Sequence, residues 1–168
     1  MPKAVLTART IQRMDTTAWQ TLRGGVGCPM DPPRPETNEH WDLVAALPVS
    51  SLYLATNQTY RGHCQLVFDG RHACRTDELT RDEWRAFADD LFNAQQAILG
   101  VTQPDHLNVE LLGNVVPHLH WHVVPRYFTD PRWGMPIWTT PLSEMRDTRL
   151  PEAERTALIT AIRTALPR

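Results

Sequence analysis

The sequence predicts an α+β fold built on an antiparallel sheet, and three features of the 168-residue chain carry that reading. Two strand-like apolar runs, SLYLAT (51–56) and CQLVF (64–68), are joined by the turn-forming NQTYRGH. A long amphipathic run follows, TRDEWRAFADDLFNAQQAIL (80–99), in which Trp84, Phe87, Leu91, Ala94 and Ile98 recur near the helical period. Two more strand-like runs, HLNVELL (106–112) and HLHWHVV (118–124), come next, linked by GNVVP. Strands, then one helix, then strands again suit a sheet whose apolar face is covered by that helix.

The remaining elements follow in chain order. Ile11, Met14, Ala18, Trp19 and Leu22 stand at helical spacing and predict a helix over 9–22, stopped by Gly24-Gly25. The Gly- and Pro-dense stretch 24–38 reads as an extended loop. Asn38 is placed to cap a short helix through Ala46, which Pro48 then ends. Asp69-Gly70 begins a turn. The long helix opens on a Thr80/Glu83 capping box, buries the face carrying Trp84, and closes at Gly100. Past Asp130, residues Trp133, Met135, Pro136, Ile137 and Trp138 show no clear period. A last helix starts at Pro151 and runs to about Leu166. No repeat or composition break divides the chain, so residues 1–168 are expected to form a single domain.

Composition narrows the function. A net charge of −2 and a pI near 6.4 give no basic face for nucleic acid. No run approaches the roughly 18 apolar residues of a membrane span, and the opening residues lack the apolar segment of a secretion signal. Three cysteines, Cys28, Cys64 and Cys74, have no framework spacing; reduced thiols in a cytoplasm are the expectation.

The chemistry concentrates in NVVPHLHWHVVPRY (114–127). On a strand, side chains alternate faces, so His118, His120 and His122 fall on one side, opposite Leu119, Trp121 and Val123. Packing against the long helix claims the apolar side, Trp121 included. The imidazoles then face solvent, a cleft or a ligand. A plain solvent-facing strand would accept Thr, Lys or Ser equally well. A shared metal suits neighbours about 6.6 Å apart but not the outer pair at about 13 Å. Nucleophilic catalysis on a phosphate uses all three. A neutral imidazole attacks with one nitrogen while its other nitrogen donates to a backbone carbonyl, and a flanking imidazole serves a phosphoryl oxygen or the leaving group.

HLHWHVV, running into Pro125-Arg126, resembles the signature of the histidine triad proteins, in particular their fragile-histidine-triad branch. LYLATNQTYRGHCQLVF, RHACRTDELTRDEW, LNVELLGN and the Pro-Ile-Trp at 136–138 extend the resemblance over about 26–138, with the helices at 9–22 and 151–166 as additions. The resemblance implies an α+β homodimer whose two five-stranded sheets join across the interface. It also implies a cytoplasmic nucleotide hydrolase or nucleotidyl transferase cleaving at the α-phosphate of a nucleoside phosphoramidate, an adenylyl conjugate or a dinucleoside polyphosphate. By the same resemblance His120 is the nucleophile that becomes nucleotidylated, and His122 contacts the α-phosphate and assists the leaving group. His118 orients His120, His63 is a second supporting histidine, Asn57 holds the ribose and Asn114 touches the phosphate. No Walker-type loop and no carboxylate cluster for magnesium accompanies the triad, so neither a metal nor another cofactor is expected in the reaction.

Two departures qualify the resemblance. Relatives with Cys-x-x-Cys bind structural zinc, whereas here the segment reads Cys28-Pro29-Met30-Asp31. With His72 and His118 near the other ligand positions, a carboxylate in place of a thiolate weakens such a site, and Cys28 is expected to be a small buried residue instead. The loop before the triad is short, and Val115 stands where a hydroxyl or amide serves the leaving group. Two alternatives therefore stay open: a nucleotide-binding module with vestigial catalysis, and a metalloprotein using the triad as ligands.

Overall fold

The computed structural model describes residues 15–130, 132–141 and 148–167. Its sheet has five antiparallel strands: β1 (Trp41–Ala46), β2 (Ser50–Ala55), β3 (Cys64–Phe68), β4 (His106–Leu111) and β5 (His120–Arg126), in the order β1-β2-β3-β5-β4. Three helices accompany it, α1 (Thr16–Arg23), α2 (Arg81–Thr102) and α3 (Glu152–Ala165).

Alternation along the strands divides the molecule. Leu52, Leu54, Cys64, Leu66, Phe68 and Val123 point to one face, where Phe87, Ala94 and Ile98 of α2 and Leu158 and Ile162 of α3 complete the main core. Trp41, Tyr53 and Val67 point the other way, with Cys28 and Met30 against them. The histidines of β5 share that second face.

α2 forms as its sequence directs: Thr80 Oγ1 accepts from Glu83 N at 3.2 Å, and Glu83 returns the bond to Thr80 N at 2.8 Å. Its N-terminus departs from expectation, because Trp84 is 38% exposed and leans on Trp121 across 6.2 Å instead of filling the core. Nor does Gly100 end the helix. Val101 still packs on the core, so the helix runs to Thr102, and Gln103, left-handed at φ 45° before Pro104, stops it.

The short helix expected over 38–46 is instead β1. Asn38 does cap, but it caps a turn: its Oδ1 accepts from His40 N at 2.7 Å and Trp41 N at 3.0 Å. Pairing Trp41–Ala46 with β2 buries Trp41, Asp42 and Val44, and Arg163 of α3 secures the Val44 carbonyl at 2.6 Å. A ladder of main-chain bonds to β2, interrupted by one register shift between Leu43 and Ala45, outweighs the weak helical preference of a six-residue segment. Of the expected 9–22 helix, residues 16–22 lie within α1, while Ile11 and Met14 fall outside the described residues. α3 lies where the sequence puts it.

Candidate functional site

β5 begins at His120, two residues later than the sequence suggests, and that shift separates the three histidines. His118 sits before the strand, fully buried, with Nε2 donating to the Phe68 carbonyl at 2.8 Å. Its ring therefore turns away from those of His120 and His122.

His120 and His122 stay together and meet His63. His120 Nδ1 donates to the His118 carbonyl at 2.7 Å. A carbonyl can only accept, so the proton lies on Nδ1 and the lone pair on Nε2. That Nε2 is 3.2 Å from Nε2 of His122, which must be the donor there. Nδ1 of His122 is then an acceptor and receives the Nε2–H of His63, again at 3.2 Å. One carbonyl thus sets the tautomers of three rings. The environment agrees: burial, with repulsion from neighbouring imidazoles, holds His63 down to about 4 and His122 to about 2, and burial also lowers His120. All three are neutral at pH 7.

Gly62 places His63. Its φ of +86° suits glycine, and a Cβ there would stand 2.9 Å from Pro125 Cγ and Thr102 Cγ2. Gln58 holds the same turn through the Gly62 N–H at 2.7 Å and the Ala55 carbonyl at 2.6 Å.

The expectation that these imidazoles look into an open cleft needs correction. His120 is 5% exposed and His122 6%, and the Nε2 lone pair of His120 is engaged by His122. The indole of Trp138 stands edge-on to His122, centroids 4.7 Å apart, and its N–H donates to Glu110 on β4. Trp133 is turned elsewhere, against Phe128. Arg126, noted in the sequence only as part of the motif's continuation, positions this segment: its guanidinium holds Asp130 at 2.9 Å and the Met135 and Arg132 carbonyls at 3.0 and 3.2 Å.

Neither asparagine joins the cluster. Asn57 uses its Oδ1 on Thr59 N and Oγ1, at 3.0 and 2.8 Å, in a turn. Asn114 is exposed and lines a cavity of about 670 Å³ with Trp19, Arg23 and Leu112, to which none of the three rings contributes. Contacts this local depend on loop path, which residue type alone does not specify.

The His118 ring belongs to a second cluster. Cys28 Sγ, Asp31, His72 and His118 bring one donor atom each within 4.8 Å of one another, so Cys28, buried as expected, also faces a set of donor atoms. His118 Nδ1 lies 3.8 Å from Cys28 Sγ and 3.1 Å from Asp31 Oδ1, and His72 Nδ1 lies 2.8 Å from the same carboxylate oxygen. The far nitrogens of both rings face carbonyls, Phe68 O at 2.8 Å and Arg23 O at 3.0 Å. With Nε2–H on each ring donating to its carbonyl, both Nδ1 atoms converge with a carboxylate and Cys28 Sγ, a set of donor atoms that a shared cation would satisfy. Ligands about 2.0–2.3 Å from tetrahedral zinc stand roughly 3.3–3.6 Å apart, so these donors fit the ion with small adjustments. Burial pushes the Cys28 thiol up, which disfavours the thiolate and which a bound cation would offset.

A five-stranded antiparallel sheet, with α2 and α3 on one face and paired imidazoles on the other, defines the class to which the chain is similar. It matches a histidine triad protein from Bradyrhizobium japonicum at 25% identity, covering 77% of this chain and 92% of that one, with a TM-score of 0.70. Histidine triad proteins from Sinorhizobium meliloti (22% identity, 76% and 90% covered, TM-score 0.69) and Marinobacter aquaeolei (20%, 76% and 89%, 0.67) share the fold. No curated protein matches in sequence. The HIT domain model matches residues 37–129, and the chain belongs to that family. Nucleotide binding with hydrolase or transferase activity is the family's general business. Among the described residues no helix is long and apolar enough to cross a membrane.

Proposed function

We propose that the protein is a nucleotide hydrolase or nucleotidyl transferase acting at the α-phosphate of a nucleoside phosphate conjugate through His120. The observation that carries this is the directed chain His63–His122–His120, anchored on the His118 carbonyl. It leaves the unprotonated Nε2 of His120 as the nucleophile. Substrate displaces the His122 N–H from that lone pair and takes it over.

His120 Nε2 forms a bond to phosphorus as the bond to the leaving group breaks in line. The leaving atom collects the Nε2 proton of His122, whose Nδ1 is backed by the His63 N–H. Water then attacks the nucleotidyl-imidazole, its proton returns to His122, and the nucleoside monophosphate departs. An acceptor other than water makes the same chemistry a transfer. Developing charge on the phosphoryl oxygens falls within reach of imidazole N–H groups in a nearly dry site. The homodimer implied by the family would join copies along β4, the sheet edge, next to exposed Leu112 and Val115.

His120→Gly tests the reading. Turnover of adenylyl p-nitrophenol should fall at least about a thousandfold, and the burst of p-nitrophenol should disappear, while nucleoside monophosphate still binds. A variant that turns over at near wild-type rate ends the assignment. A burst-free, inactive wild type that still binds nucleotide would establish the vestigial module instead.

The Cys28–Asp31–His72–His118 cluster favours a second, compatible role as a structural zinc site. When bound, zinc would supply a fixed positive charge that cross-links the 25–34 loop to His72 and to His118 ahead of β5. The protein's own part is to hold His118 so that its carbonyl faces His120.

A further inference from the structure

Beside the imidazoles lies a charge that the proposed chemistry does not use. Glu110 of β4 is paired directly with His122 of β5. Residues so opposed share a sheet face with Cβ atoms about 5 Å apart, so the carboxylate stands at the flank of the imidazole that serves the leaving group. It is held there: one oxygen accepts the Trp138 N–H, and the Asn108 amide lies 3.5 Å from the other. Trp138 in turn covers His122 at 4.7 Å and reaches His63 at 6.4 Å. The fixed cation at the end of the same strand, Arg126, is buried and bound to Asp130 and to main-chain carbonyls. The neutral imidazoles offer no charge to offset Glu110. A group leaving past His122 therefore meets one carboxylate and one indole.

We propose that Glu110 and Trp138 form a leaving-group subsite that selects amines carrying a positive charge beyond the scissile nitrogen and rejects polyphosphate chains. The inference rests on the α-phosphate chemistry proposed above and names its substrate class: phosphoramidates of cationic amines. In that reaction the P–N bond breaks as the His120–P bond forms, and nitrogen takes its proton from His122. Water later releases the nucleotide, so nucleotide amide plus water gives monophosphate plus amine. The distal ammonium pairs with Glu110 and rests against the indole face, which attracts cations. A polyphosphate would bring several negative charges against the same carboxylate. A unit charge pair at about 6 Å near a protein surface, discounted for screening, changes relative rates roughly ten- to a hundredfold.

The test compares kcat/KM for three probes: an adenylyl phosphoramidate of a diamine, a diadenosine polyphosphate, and adenylyl p-nitrophenol as an uncharged internal scale. The wild type should prefer the diamine conjugate over the polyphosphate. Glu110→Gln keeps an acceptor for the indole N–H while removing the charge, and should shrink that preference about tenfold or more. Trp138→Phe removes the N–H that partly neutralises the carboxylate, and should widen it for the polyphosphate arm. If adenylyl p-nitrophenol is turned over but the ratio is the same in wild type and Glu110→Gln, or the wild type prefers the polyphosphate, the subsite is overturned and the hydrolase reading stands. If no probe is turned over, both fall together.

Discussion

The two histidine clusters of this protein lie next to each other on one sheet face yet are wired in opposite ways. In the His63–His122–His120 cluster each ring donates to the next, and the last donates to a carbonyl, so every nitrogen in contact has a complementary partner. In the other cluster both imidazoles give their far N–H groups to carbonyls, and their remaining lone pairs converge with Asp31 and Cys28. The first arrangement is complete without a cation; the second gathers donor atoms that a cation would satisfy. The lesson is that an imidazole's chemistry is set by which nitrogen the backbone takes. His120 loses Nδ1 to a carbonyl and presents Nε2 to His122; His118 loses Nε2 and presents Nδ1 to the ligand set. His118 belongs to both, its ring in one cluster and its carbonyl in the other.

Removing the cation should break this contrast most visibly. Cys28→Ser, or chelation of the wild type, is expected to abolish bound zinc as measured by elemental analysis of untagged protein. Loss of a ligand present at about a thousandfold over its Kd costs about 4 kcal/mol, or roughly 10 °C in Tm for a chain of this size. The His120 cluster lies outside the ligand set, so His120→Gly should retain full metal content. Equal Tm for wild type and Cys28→Ser, with no metal in either, would show that protons alone satisfy the Asp31 cluster.

Acid should discriminate on the other side. His63 is held near 4 when folded against 6.5 in the free residue, so the unfolded chain binds its proton first. A group lowered in this way stabilises the fold above its unfolded pKa and loses that contribution as pH falls through the folded value. The window is therefore from about pH 6.5 down to about 4, and His63 alone accounts for roughly 3 kcal/mol across it. His122, held near 2, steepens the loss in the same direction. Denaturant midpoints of wild type and His63→Asn, measured at several pH values, check this: the variant should show a shallower fall. Parallel curves would mean that His63 is not buried neutral.

What could be read from the sequence follows the range of the interactions involved. Period-two alternation and the Thr80 capping box report local geometry, and the sheet, α2 and the shared face of His120 and His122 follow from them. β1 was unreadable because its two buried faces are defined by β2 and α3, and Asn38 signals a cap without saying of what. Cys28 and Asp31 are too far along the chain from His72 and His118 for spacing to join them; the family resemblance names the four together, and the loop path brings their donor atoms within 4.8 Å. The sequence makes Trp138 an aromatic without a period, and Arg126 a polar residue at a strand end. Their roles emerge once residues 132–138 fold back over Tyr60 and β5. Asn57 and Asn114, given ribose and phosphate contacts by the resemblance, stand in a turn and beside a separate cavity, a placement set by loop path.

The smallest effect tests the link between neighbouring rings. If His63 only fills space under Trp138, a ring of similar shape should serve, and His63→Phe should leave kcat alone. If its N–H fixes the tautomer of His122, that substitution leaves Nδ1 of His122 without a donor. Once substrate takes the His120 lone pair that otherwise holds the His122 proton on Nε2, that proton can move to Nδ1, and the form that serves the leaving atom is depleted. Positioning partners of this kind are worth about ten- to a hundredfold, so kcat should drop roughly tenfold with KM little changed. His63→Asn restores an N–H at a similar reach and should recover part of the loss. The drop should also depend on the leaving group: steep for an alkylamine, which must be protonated to depart, and shallow for p-nitrophenolate, which need not be. A uniform loss across both would assign His63 to binding rather than to the proton's path, and would separate the chain's two functions at a single residue.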